Sequence, residues 1–217
     1  MSNENSHDNS HGNKHSNLHK NAHANNPSNE HGNELGNELG INHANEHAYT
    51  QLVLRRGLED LPSLSIPVGF ELRNYQDGDE AAWEKIVGEM SPAGFVADIK
   101  SHRFFKPDKV KFICYGAKPV ATAIAWDDEA GDEMLGMVHM VGADPEFSGK
   151  GLGYAVTNAV LHQMKNEGKS RAYLTTDDFR RPAINIYLKL GFIPDMSREG
   201  HKERWEKLYE QMKIGRK

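Results

Sequence analysis

Residues 137–156 read MVHMVGADPEFSGKGLGYAV, and no other stretch narrows the choice of folds as far. An apolar run with strand character (Met137, Val138, Met140, Val141) breaks at Gly142-Ala143-Asp144-Pro145 and meets a glycine-rich turn, Gly149-Lys150-Gly151-Leu152-Gly153. Beyond it Ala155, Val156, Ala159, Val160 and Met164 recur at helical spacing. A strand, a glycine loop and a helix in that order hold phosphate. Glycine lets backbone N–H groups come close to an anion, and the unpaired N–H groups and positive dipole end of the helix hold its charge.

Two familiar nucleotide loops are excluded by spacing. A Walker A loop needs Gly-x-x-x-x-Gly-Lys-Ser/Thr, but Asp144 stands five before Gly149 and Gly151 follows Lys150. A dinucleotide fingerprint needs Gly-x-Gly-x-x-Gly/Ala, and its last position falls on Tyr154 or Val156. What is left is x-x-x-Gly-x-Gly at Ser148-Gly149-Lys150-Gly151-Leu152-Gly153. Downstream, after the β-prone run Ala172-Tyr173-Leu174-Thr175-Thr176, comes Tyr187-Leu188-Lys189-Leu190-Gly191-Phe192. The two motifs together resemble the acetyl-CoA loop and the Tyr-x-x-x-Gly-Phe ending of the GNAT superfamily of N-acetyltransferases, over roughly residues 69–194.

The remainder of the chain fits one domain behind an unusual leader. Asn recurs every four residues from Asn5 to Asn37, with eight histidines two places out of phase, at 7, 11, 15, 19, 23, 31, 43 and 47. Residues 1–48 carry too few apolar groups to offset the entropy of ordering, so a disordered tract is expected. Its imidazoles are expected to bind transition metals adventitiously, and no physiological metal site is predicted. Residues 49–68 read as an extended connector, since prolines at 62 and 67 disfavour helix before them. The domain is then expected over 69–217. It begins with a strand at 69–75, a helix capped by Asp79 that carries Ala82, Trp83, Ile86 and Val87, and a second short helix over 95–103. Strands at 109–115 and 120–126 flank Gly116-Ala117-Lys118-Pro119 as a hairpin. A last helix over 198–213 presents Trp205, Leu208, Tyr209 and Met212 to the domain or to a second subunit, as in a homodimer.

A net charge of −5 gives no basic patch for nucleic acid, and no apolar run approaches a membrane span. The single cysteine, Cys114, fits a reducing cytoplasm and reads as a small core residue.

The resemblance implies a mixed α/β fold, with a mostly antiparallel sheet splayed around acetyl-CoA and flanked by helices. It implies acetyl transfer to a primary amine by direct attack in a ternary complex. Backbone N–H groups around Gly149, Lys150, Gly151, Leu152 and Gly153 would take the pyrophosphate, with the Lys150 charge nearby. Backbone of Met140, Val141 and Gly142 would pair with the pantetheine arm as a strand does. Ser148 stands where the family usually has Arg or Gln, which removes one side-chain donor. Tyr187 takes the role of general acid to the thiolate, and Trp83 and Phe95 become acceptor-pocket candidates. His139 alternates with Met137 and Val141, facing the splay, where its ordinary pKa suits a base. A non-catalytic acyl-CoA module, transfer of another acyl group, and a metal-storing protein are the rival readings.

Overall fold

The computed structural model describes residues 50–215, and the Asn/His repeat lies outside the described residues. Seven strands form one sheet: β1 (Leu52–Gly57), β2 (Glu71–Asn74), β3 (Val110–Tyr115), β4 (Lys118–Asp127), β5 (Leu135–Ala143), β6 (Arg171–Thr176) and β7 (Ile193–Pro194). Their spatial order is β2-β3-β4-β5-β6-β1-β7. Neighbours are antiparallel except β5 and β6, which run parallel. Parallel strands need a crossover, and helix α2 (Leu152–Asn166) supplies it. The other helices are α1 (Glu80–Val87), α3 (Arg181–Lys189) and α4 (His201–Met212).

Alternation along the strands divides the core in two. On β4, Ala121, Ala123 and Ala125 point toward α2, while Ile124 and Trp126 point toward α1. The alanines leave room for α2, whose Ala155, Val156 and Val160 pack in the same cluster with Trp205 and Leu208 of α4. α4 therefore packs on its own domain. Across the sheet, Trp83, Phe95, Phe112 and Trp126 form the second cluster.

Three local expectations are corrected. Residues 52–57, read as connector, are an interior strand: β1 pairs with β6 on one side and β7 on the other, and Leu52, Val53 and Leu54 are fully buried. A strand covered on both faces shows an unbroken apolar run in place of alternation, which is why no period marks it. The following residues do run as irregular extended chain, tied to α2 by Asn158 Nδ2 donating to Pro62 O (3.1 Å) and Lys165 Nζ to Glu59 O (2.6 Å). Asp79 does not cap α1 with its side chain; its carboxylate receives Arg73 (2.6 and 2.8 Å) and the Gln76 N–H (2.8 Å). The second short helix is a single wide turn, Val96–Lys100, closed by Ser101 N–H on Val96 O at 3.0 Å.

Candidate active site

β5 and β6 pair only at their beginnings, Leu135 with Arg171, Gly136 with Ala172 and Met137 with Tyr173. Beyond Met137 they part, because β5 carries a bulge. Ile124 of β4 faces His139 and Thr122 faces Gly142, so Met140 and Val141 together oppose the single residue Ala123. Met140 holds φ 47°, a conformation that a non-glycine residue adopts only under constraint. The bulge also breaks the alternation expected from sequence. Met140 joins Met137 on the α1 side, while Val141 packs on the α2 side, so His139 and Val141 do not share a face.

The parting strands leave a cavity of about 350 Å³, lined by β5 from Met137 to Val141, by Thr175 and Thr176 of β6, by Arg180, Ala183 and Tyr187 at α3, and by Gln51 and Met90. Tyr187 and His139 therefore meet in one cleft. Burial pushes the Tyr187 phenol up to about 12, against the pull of the Arg180 cation. Burial pushes His139 down to about 4, helped by the nearby His102 and opposed by Asp98 and Glu129. Its ring lies on Trp126, and His102 lies on the same indole, with centroids 5.4 and 4.9 Å away.

Past the cleft, β5 leads into the glycine loop. Phe147 N–H bonds to Asp144 O (2.9 Å) and Ser148 N–H to Pro145 O (3.1 Å), and the Asp144 carboxylate accepts the Glu146 N–H (3.0 Å), so the turn is set by its own backbone and by the Asp144 side chain. Gly149 and Gly151 both stand at φ 77° with open space around them, which is what their lack of a side chain permits. The first N–H bonded inside α2 is that of Ala155, on Gly151 O at 3.0 Å. Leu152, Gly153 and Tyr154 thus present N–H groups out of the helix end. No acidic residue lies in that first turn, and Ser148, Gly149, Lys150 and Gly151 are exposed. This donor set suits a pyrophosphate.

Gly153 serves another purpose. Its φ is not positive, and a Cβ there would stand 3.0 Å from Ile186 Cδ1, so it lets α2 and α3 approach. Gly142 is similar, since a Cβ there would meet the Ile86 carbonyl at 3.1 Å. Neither Trp83 nor Phe95 lines the cleft. Both are fully buried with ring centroids 5.1 Å apart, and Tyr75 stacks on Phe95 at 5.0 Å, so they are core residues rather than pocket walls.

Residues 74–192 match the Acetyltransferase (GNAT) family. The chain belongs to that family. It is 29% identical over 153 residues to a mycothiol acetyltransferase of Thermomonospora curvata, covering 65% of this chain and 50% of that protein. Over 152 residues it is 32% identical to the mycothiol acetyltransferase of Actinosynnema mirum, covering 64% and 50%. The chain spans about half the length of these curated relatives. A crystal structure of a GCN5-related N-acetyltransferase from Sphaerobacter thermophilus superposes with a TM-score of 0.56 at 19% identity, covering 68% of this chain and 50% of that one, a likeness of fold alone. In this GNAT domain, β1 and β7 lie outside the matched residues, and β1 still sits between β6 and β7 in the sheet. Sequence reasoning missed the cleft residues Gln51, Met90, Thr175, Thr176 and Arg180. The position of Arg180 seven before Tyr187, two turns of helix apart, is the one signal that could have found it.

Proposed function

We propose that this domain transfers an acetyl group from acetyl-CoA to a primary amine by direct attack in a ternary complex. The observation that carries the reading is that His139 and Tyr187 line one cleft, opened by the bulge at Met140, on the strand that leads into the anion-binding end of α2. Gly149 to Tyr154 would hold the pyrophosphate with main-chain donors, and Lys150 would add charge. The pantetheine arm would lie against the unpaired backbone of β5 near Met140 and Val141.

The amine nitrogen attacks the thioester carbon, the carbon–sulfur bond breaks, and the sulfur leaves as thiolate. At a pKa near 4, His139 is neutral in the physiological range and a weak base. Taking a proton from an ammonium of pKa about 8 would cost about 5 kcal/mol, whereas the fraction already neutral at pH 7 costs about 1.4 kcal/mol. The amine therefore arrives neutral, and His139 accepts a hydrogen bond from it or from a water. Full proton transfer from a phenol near 12 to a thiolate near 8.5 is uphill by about 5 kcal/mol. Tyr187 accordingly donates a hydrogen bond to the leaving sulfur, and the thiolate is neutralised by the proton the amine gives up.

Methionines 90, 137 and 140 in the cleft favour a second reading, transfer of a longer acyl group, because their side chains adapt to shape. A reducing compartment suits the single buried Cys114, consistent with a cytoplasmic protein. The test is thiol release from acetyl-, propionyl- and butyryl-CoA with a panel of amines, the product read by mass. Binding of acyl-CoA with no release in any arm would make this a binding module.

A further inference from the structure

The wall of the cleft formed by β6, α3 and Gln51, just before β1, has an arrangement that acetyl transfer does not require. Arg180 reaches across the opening from the start of α3. Its Nε donates to Asp177 Oδ2 at 2.9 Å, and its Nη1 donates to Met90 Sδ at 3.0 Å. The other oxygen of Asp177 accepts Gln51 Nε2 at 3.1 Å, so one carboxylate orients both donors toward the cleft. A thioether is a weak acceptor, and a guanidinium end spent on one inside a cavity has hydrogen-bonding capacity that a carboxylate would take up bidentately. Thr175 and Thr176 line the same wall. Among the described residues that line the cleft there is no Asp or Glu, and Arg180 is the permanent charge.

We infer that the acceptor amine also carries a carboxylate, which Arg180 engages in place of Met90 while Gln51 supplies a neutral donor beside it. This rests on the acetyl-transfer reading and adds the acceptor class to it. Ala183, between Arg180 and Tyr187 on the cleft face of α3, keeps the path between the anion site and the reacting centre open. Polycationic acceptors are disfavoured, because the nearby carboxylate of Asp177 is already taken up by Arg180 and Gln51, and the described residues of the lining hold no other to receive a second ammonium.

The experiment compares amino acids and peptides bearing a free carboxylate with their primary amides, and both with diamines of similar length, using acetyl-CoA and the full chain. The expected result is a kcat/KM at least ten-fold higher for the carboxylate over its amide. That ratio collapses toward one in Arg180→Gln and is partly kept in Arg180→Lys, which preserves charge without the planar fork. The affinity for acetyl-CoA, measured by calorimetry, should be the same in all three proteins. A wild type that prefers amides or diamines, or an Arg180→Gln variant that keeps the ratio, overturns the inference. So does a variant that loses acetyl-CoA affinity instead, since Arg180 would then serve the thioester donor. Acetyl-CoA bound with no amine acetylated would sink the transferase reading itself, and the acceptor class with it.

Discussion

The imidazole of His139 lies against the indole of Trp126, ring centroids 5.4 Å apart and planes inclined by 32°. That tilted ring contact holds the imidazole in the cleft, and burial with His102 close by keeps it uncharged down to about pH 4. An unfolded chain would protonate the same histidine near 6.5. Between those values the unfolded state binds the extra proton, so this group's contribution to stability is complete above pH 6.5 and is lost as pH falls through 4. Thermal melts from pH 7 to 4 should show a steeper decline in the wild type than in His139→Gln. Because the amine reacts in its neutral form, kcat/KM falls first below the acceptor's own pKa. If His139 governs turnover, a second and steeper break lies near pH 4 and is absent in His139→Gln, and a break near 4 that survives the substitution would assign it to another group.

Tyr187→Phe keeps the ring contact with Phe192, whose centroid is 6.0 Å away, and removes only the hydroxyl. Turnover should fall about 10²-fold, the usual scale for a lost donor to developing charge, with acetyl-CoA affinity unchanged. An undiminished kcat, with chemistry shown to be rate-limiting, would leave Tyr187 a packing residue.

The two glycines at the start of α2 should respond differently. Gly151→Asp introduces a side chain at φ 77° and a carboxylate at the helix end, and acetyl-CoA affinity measured by calorimetry should drop at least ten-fold. Gly153→Ala instead pushes on Ile186 Cδ1, which offsets the gain of about 1 kcal/mol in helix propensity that alanine brings. Ile186→Val removes that methyl, so a double-mutant cycle on urea midpoints should show the pair less destabilised than the sum of its parts. Additivity would mean the helices shift freely.

Truncation separates the repeat from the fold. Removing residues 1–48 should leave turnover intact and abolish binding to immobilised nickel, since eight histidines go with it. Removing residues 1–57 deletes β1, exposes the faces that Leu52 and Leu54 bury, and takes Gln51 from the cleft. Loss of each buried leucine alone costs about 2–5 kcal/mol, so that protein should not fold, as judged by near-ultraviolet circular dichroism. Lost activity on the shorter truncation would give the repeat a role.

The glycine loop, the helix after it and the Tyr187-to-Phe192 ending were legible in the sequence because each depends on local rules: glycine at positive φ, helical spacing, and motif order. Gly149, Gly151 and Tyr187 stand where those rules put them. What sequence could not decide depends on contacts between distant segments. An interior strand such as β1 carries no alternation, so its place between β6 and β7 is set by pairing alone. The bulge at Met140 adds one residue to β5 and reverses the face of everything after it, which no period within the strand announces. Trp83 and Phe95 are apolar enough for either a pocket or a core, and packing against Tyr75 and Trp126 made them core. Arg180, Gln51 and Met90 come from three separate parts of the chain. They form one wall only because β5 and β6 separate after Met137, and that separation is a property of the assembled sheet.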